Sequence, residues 1–177
     1  GVKNVVGSFY QPSKVIIDVE TLDTLEKRQL HAGLVEAIKM AATSDKNLFE
    51  RIEKSENLKD DLLEIVQASL AIKKEKKKKD PKEKGLRKVL NFGHTLGHAI
   101  ESEQKGALLH GECVGIGMLP MCSEEVEKRL EKVLKKYDLP TAANCDKNEL
   151  LRLMTHDKKA DGSKIRTVVV NEIGSFE

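Results

Sequence analysis

Leu90-Asn91-Phe92-Gly93-His94-Thr95-Leu96-Gly97-His98-Ala99-Ile100-Glu101, followed by His110-Gly111-Glu112, is the stretch on which the reading of this chain turns. The protein has five histidines, and three of them fall within the 21 positions from Leu90 to His110. His94 and His98 stand four apart, which on a helix puts both imidazoles on one face. That spacing suits half of a metal site, and it equally suits two hydrogen-bonded histidines on an ordinary helix face.

Outward from this block the pattern is helical. Toward the N-terminus, Gly85–Glu101 reads as one helix, Asn57–Lys79 as another with Leu62, Leu63, Val66, Leu70 and Ile72 on its apolar face, and Asp45–Ser55 as a third. Thr21–Ser44 is helical as well, with Gly33 expected to divide it in two. Toward the C-terminus, Gly111–Met121 is apolar and rich in small residues, Glu124–Tyr137 is amphipathic, and Lys147–Thr155 completes the series. The β-branched run Lys14–Asp18 predicts a short strand, and Lys164–Val170 with Gly174–Phe176 predicts a hairpin. The expected fold is mainly α: a multihelical domain with a short terminal strand and a C-terminal β-hairpin.

Composition narrows the function classes. With 31 Lys and Arg against 29 Asp and Glu, the net charge of +2 creates no global field for nucleic acid. The lysine-rich run Lys73–Lys79 has no interleaved aromatic residues, so it reads as a solvated face rather than a nucleic-acid patch. No apolar run approaches the roughly 18 residues of a membrane span. Three widely spaced cysteines, Cys113, Cys122 and Cys145, fit free thiols in a reducing compartment, so a cytoplasmic location is expected.

Catalytic zinc takes three protein ligands and keeps one position open. His94, His98 and His110 are candidates, and a carboxylate from elsewhere could complete the set. Glu36 stands out because Gly33-Leu34-Val35-Glu36-Ala37-Ile38-Lys39 places an acid and a lysine inside an apolar helix, where charge is costly unless paired or metal-bound. A plain Glu36–Lys39 ion pair is the competing reading.

Arg87–Glu101 together with Leu109-His110-Gly111-Glu112-Cys113-Val114 resembles the motif set of the 3-dehydroquinate synthase family. Lys3-Asn4-Val5-Val6-Gly7 with Gln11-Pro12, Gly33–Lys39, Lys73 with Asp80, Glu83 and Gly85, and Asp157-Lys158-Lys159 follow in the family's order, so the resemblance spans nearly the whole chain. It implies conversion of 3-deoxy-D-arabino-heptulosonate 7-phosphate to 3-dehydroquinate in the shikimate route, with NAD and a divalent metal, zinc or cobalt. By the same resemblance, Glu36, His94 and His110 match the metal ligands and His98 a proton-transfer residue near the leaving phosphate. Asn4, Lys39, Lys73, Arg87, Asn91, His110, and Lys158 or Lys159 match substrate contacts, and Glu83 matches a proton acceptor. Lys3 and the turn Thr21-Leu22-Asp23-Thr24 match positions touching the nucleotide.

The family's first half is a nucleotide-binding α/β domain with a glycine-rich phosphate loop, which these residues do not include. Residues 1–20 are therefore expected to be the junction with that domain and residues 21–177 the helical metal and substrate domain. NAD is expected to bind mostly through the other half, and these residues by themselves are expected to be inactive. A homodimer and the N-terminal NAD-binding domain are the expected partners besides the phosphorylated sugar-acid. Another sugar-phosphate cyclase, or a stand-alone helical module with relic site residues, are the alternative readings.

Overall fold

The computed structural model describes residues 6–8, 10–80, 86–156 and 167–177, with 86, 87 and 156 in backbone only. Leu34, Val35, Ile38, Ala41 and Ala42 bury one side of a single helix, α1 (Lys27–Ser44), rather than two. Gly33 remains inside it. A helical glycine costs about 1 kcal/mol relative to alanine, and the core packed along α1 exceeds that. Asp45 ends α1 with its extended backbone and starts α2 (Lys46–Lys54) with its carboxylate, which accepts from the Leu48 N–H at 3.0 Å.

Asn57 caps α3 (Leu58–Lys79). Asp60 and Asp61 occupy its first turn and Lys76–Lys79 its last, charges that complement the helix dipole at both ends. The buried stripe is Leu62, Ile65, Ser69 and Ile72. Leu63 and Leu70, expected inward, are 54% and 40% exposed, because the helix phase turns them toward solvent.

The segment read as one helix from Gly85 to Glu101 is broken. A 3₁₀ helix (Leu86–Asn91) precedes α4 (His94–Gln104), and Gly93 between them has φ +75°. A Cβ at Gly93 would lie 2.5 Å from Met118 Cγ and 2.8 Å from the Val114 carbonyl oxygen, so only glycine fits this turn against α5 (His110–Met118). Eight of the nine α5 residues are buried, which makes it the central rod of the domain. Pro120 lies in the 3₁₀ turn Leu119–Met121 that follows. Ser123 then caps α6 (Glu124–Lys136), whose Val126, Leu130, Val133 and Leu134 close the main core with Phe49, Ile52, Phe92 and Met118. Helix α7 (Lys147–His156) packs on α4.

The β expectations fail in part. Lys14–Asp18 forms no strand: Val15, Ile16 and Ile17 are 69%, 78% and 51% exposed, and a strand needs a sheet to join. Of the expected C-terminal hairpin, Lys164, Ile165 and Arg166 lie outside the described residues; among the described ones there are reciprocal backbone bonds between Val169 and Glu177 and a single parallel bridge from Cys122 to Val170. The Gly174 N–H donates to the Ala42 carbonyl at 2.8 Å, so this tail caps the end of α1. No helix among the described residues is long and apolar enough to cross a membrane.

Candidate metal and anion site

Helices α1, α4 and α5 bring five of the expected residues together. Helix α1 supplies Glu36 and Lys39, α4 supplies His94 and His98, and the first residue of α5 is His110. The imidazole centroids lie 5.3 Å (His94–His98), 5.4 Å (His94–His110) and 5.7 Å (His98–His110) apart. One nitrogen from each ring falls within 4.8 Å of the others, close enough to share an ion. Glu36 Oε1 is 3.5 Å from His94 Nε2. That oxygen is buried and accepts no hydrogen bond among the described residues, as a ligand atom awaiting a cation would be.

The local hydrogen bonds fix which ring nitrogens face inward. His94 Nδ1 is 3.2 Å from the Phe92 carbonyl oxygen, an acceptor only, so Nδ1 carries the proton and Nε2 the lone pair. His110 Nδ1 sits 3.0 Å from Glu101 Oε2. Burial, together with the nearby Lys39 and His98, lowers the His94 pKa below its ordinary value and keeps the ring neutral at pH 7. Neutral imidazole is the form that binds metals.

Lys39 is 3% exposed, and its ammonium donates to Glu36 Oε2 at 2.7 Å. Burial lowers its pKa, Glu36 opposes that, and the charge of Lys73 on α3 adds to the lowering. Burial pushes the Glu36 carboxyl up, but Lys39, His94 and His110 together outweigh it and hold it below the usual carboxylate range. The expected ion pair is therefore present, and one carboxylate oxygen engages Lys39 while the other faces the histidines.

Beside the cluster, Glu36 and Lys73 line a groove of about 290 Å³ between the 3₁₀ helix Val19–Thr24, α1 and α3. Of the expected nucleotide contacts, Leu22 lines this groove. Thr21 and Thr24 donate their hydroxyls to the Asp18 and Thr21 carbonyls, and Asp23 pairs with Lys59 of α3 at 3.2 Å. Asn91 ends the second 3₁₀ helix, exposed, and Arg87 is in the same helix with only its backbone described. Lys3, Asn4, Glu83, Lys158 and Lys159 lie outside the described residues.

Three residues that matter to this geometry carried no role in the sequence reading. Glu112, 3% exposed, receives a two-pronged bond from Arg28 at 2.7 Å on each oxygen and accepts the Leu109 N–H at 2.8 Å. Arg28 also donates to the Ala107 carbonyl at 3.1 Å, so this fork pins the loop that delivers His110. Glu101 is the third. Its signal was available, since 94, 98 and 101 follow an i, i+4, i+7 pattern on one helix face.

Fold and site together define a helical domain built around a convergent three-histidine and carboxylate cluster. Two solved structures share the architecture. 2-Epi-5-epi-valiolone synthase from Streptomyces hygroscopicus subsp. jinggangensis 5008, with NAD⁺ and Zn²⁺ bound, superposes with a TM-score of 0.86 at 24% identity, covering 98% of this chain and 53% of that one. 2-Deoxy-scyllo-inosose synthase, complexed with carbaglucose-6-phosphate, NAD⁺ and Co²⁺, gives 0.76 at 22% identity with the same coverage.

Residues 33–160 match the 3-dehydroquinate synthase C-terminal family and residues 1–32 the 3-dehydroquinate synthase N-terminal family. The chain belongs to the 3-dehydroquinate synthase family. It is 42% identical over 186 residues to 3-dehydroquinate synthase of Helicobacter pylori (strain G27), covering 99% of this chain and 54% of that protein. The enzyme of Campylobacter concisus (strain 13826) is likewise 42% identical, with 98% and 53% covered. The chain thus spans about half the length of the curated relatives it matches.

Proposed function

We propose that these residues form the metal- and substrate-binding half of a 3-dehydroquinate synthase, acting on 3-deoxy-D-arabino-heptulosonate 7-phosphate to give 3-dehydroquinate and phosphate. The observation that carries the reading is Glu36 Oε1, buried, without a hydrogen-bond partner among the described residues, and facing three clustered imidazoles. Residues 1–20 form the junction with an NAD-binding half, and residues 21–177 are the metal and substrate domain. The working enzyme is a cytoplasmic homodimer.

Glu36, His94 and His110 would hold a zinc or cobalt ion. Such an ion, when bound, polarises a substrate hydroxyl or ketone oxygen as a Lewis acid, while NAD accepts and returns a hydride. The chain's own residues do the rest. Lys39 and Lys73 set a positive potential beside the cluster, and Arg87 adds a planar fork suited to phosphate or carboxylate. Asn4, Asn91, and Lys158 or Lys159 complete the substrate contacts. His98, on the same α4 face as His94, moves a proton at the leaving phosphate, and Glu83 accepts one. Lys3 and Thr21–Thr24 touch the nucleotide, whose remaining contacts come from the other half.

Zinc titration by calorimetry tests the reading: one equivalent binds wild type, and His94→Ala abolishes binding. No stoichiometric binding, or binding indifferent to the substitution, refutes it. In an assay with NAD, zinc and substrate, the 177 residues alone give no turnover; turnover at an enzyme-like rate would overturn the assignment to one half of the enzyme.

A further inference from the structure

The two proposed histidine ligands are oriented in different ways. His94 is held by the Phe92 carbonyl, a backbone group that no substitution removes. His110 is held by a side chain, Glu101, through its Nδ1 at 3.0 Å. His110 itself is 43% exposed and is the first residue of α5, where the helix ladder restrains it least. Glu101 is only 23% exposed and is carried seven residues after His94 on α4, so it ties the ring of one helix to the helix that bears the other two histidines.

An ionised carboxylate only accepts, so His110 Nδ1 must donate, which leaves the lone pair on Nε2. Without Glu101 the neutral ring could exchange tautomers and rotate into the adjoining solvent. A carboxylate behind a ligating imidazole both fixes its tautomer and raises its basicity, and loss of such a partner weakens metal binding 10–100-fold as a rule.

We infer that Glu101 is a positioning residue for His110, selecting the Nε2 lone-pair tautomer and aiming it at the cluster formed with Glu36 and His94. This rests on the metal-site reading above. It is tested by two measurements on the 177-residue protein. In metal-free protein, ¹⁵N chemical shifts of the His110 ring are expected to report a protonated Nδ1 in wild type, the same preference in Glu101→Gln, whose amide oxygen still accepts, and a mixture of tautomers in Glu101→Ala. In competition titrations with Zn²⁺, Glu101→Ala is expected to bind 10–100-fold more weakly than wild type, with Glu101→Gln recovering most of the affinity. Wild-type tautomer and affinity in Glu101→Ala overturn the inference, as does a tautomer mixture in wild type. Should Glu101→Ala not fold, a tautomer mixture in Glu101→Gln overturns it and retained Nδ1 protonation supports it. Failure of wild type to bind zinc, with the tautomer preference intact, would fault the metal reading and leave the positioning role standing.

Discussion

Replacing Gly111 by alanine puts the helix contact beneath the site to the test. A Cβ there would lie 1.9 Å from the Ala32 carbonyl oxygen and 2.7 Å from its carbonyl carbon. Both atoms belong to the α1 backbone, so no rotamer change relieves the overlap, and α5 must retreat about 1.5 Å to reach ordinary 3.4 Å contact. Overpacking costs about 1–3 kcal/mol, and a backbone clash sits at the upper end. Alanine's better helix propensity offsets about 1 kcal/mol. The net loss is about 2 kcal/mol, or a melting temperature lower by about 4–8 °C in a chain of this size. The same retreat carries His110 away from Glu36 and His94, so zinc affinity should fall by about tenfold or more. Gly33→Ala is the control: nothing lies within 4 Å of its Cβ position, and it should stabilise α1 by about 0.5–1 kcal/mol. Circular-dichroism melting and zinc calorimetry read both variants. Gly111→Ala melting at or above wild type with unchanged zinc affinity would refute the close approach of α1 and α5.

Two further outcomes follow from the charges and thiols. The Arg28 fork, aided by the Leu109 N–H, holds the Glu112 carboxyl below the usual value of about 4.3. Because the folded-state pKa is the depressed one, this stabilisation is complete above the unfolded value and is lost as pH falls through the folded one. Wild type should therefore lose melting temperature below about pH 4.3 more steeply than Arg28→Gln; parallel acid limbs would count against the fork. Burial pushes the Cys113 thiol up to about 11 and the Cys122 thiol up to about 12. Neither should be alkylated by iodoacetamide at pH 8 until the protein unfolds, and rapid labelling of Cys113 in the folded state, read by mass spectrometry, would sink its placement in α5.

Most helices are legible from apolar period and caps, because Asp45, Asn57 and Ser123 announce α2, α3 and α6 before any packing is considered. The two glycines that misled do so for a shared reason. Gly33 and Gly93 both look like interruptions or neither does, and only the neighbouring helix tells them apart: open space surrounds Gly33, while Met118 and Val114 crowd Gly93 into a positive φ. Lys14–Asp18 has every local mark of a strand, yet local marks do not supply a pairing edge. In the site, the three histidines declare themselves by clustering in the sequence and Glu36 by its place in an apolar helix, but dividing them into the ligand set Glu36, His94 and His110 with His98 left for proton transfer took the family resemblance. Glu112 and Arg28 stayed hidden because an acid and a base 84 positions apart give no local signal.

Glu36 and His110 stand 74 positions apart and ride on different helices from His94 and His98. A partly folded chain with α4 formed alone would offer an ion only the i, i+4 pair, and closing the long intervening loop is an entropic cost met only when α1, α4 and α5 dock. On the proposed metal reading, ion capture is therefore a late event in folding and a reporter of complete assembly: fraying at the ends of α1, away from Glu36, leaves it nearly untouched, whereas undocking of α5 releases the ion at a stroke. In crude preparations, the fraction of chains that retain zinc would count the fraction that are natively packed.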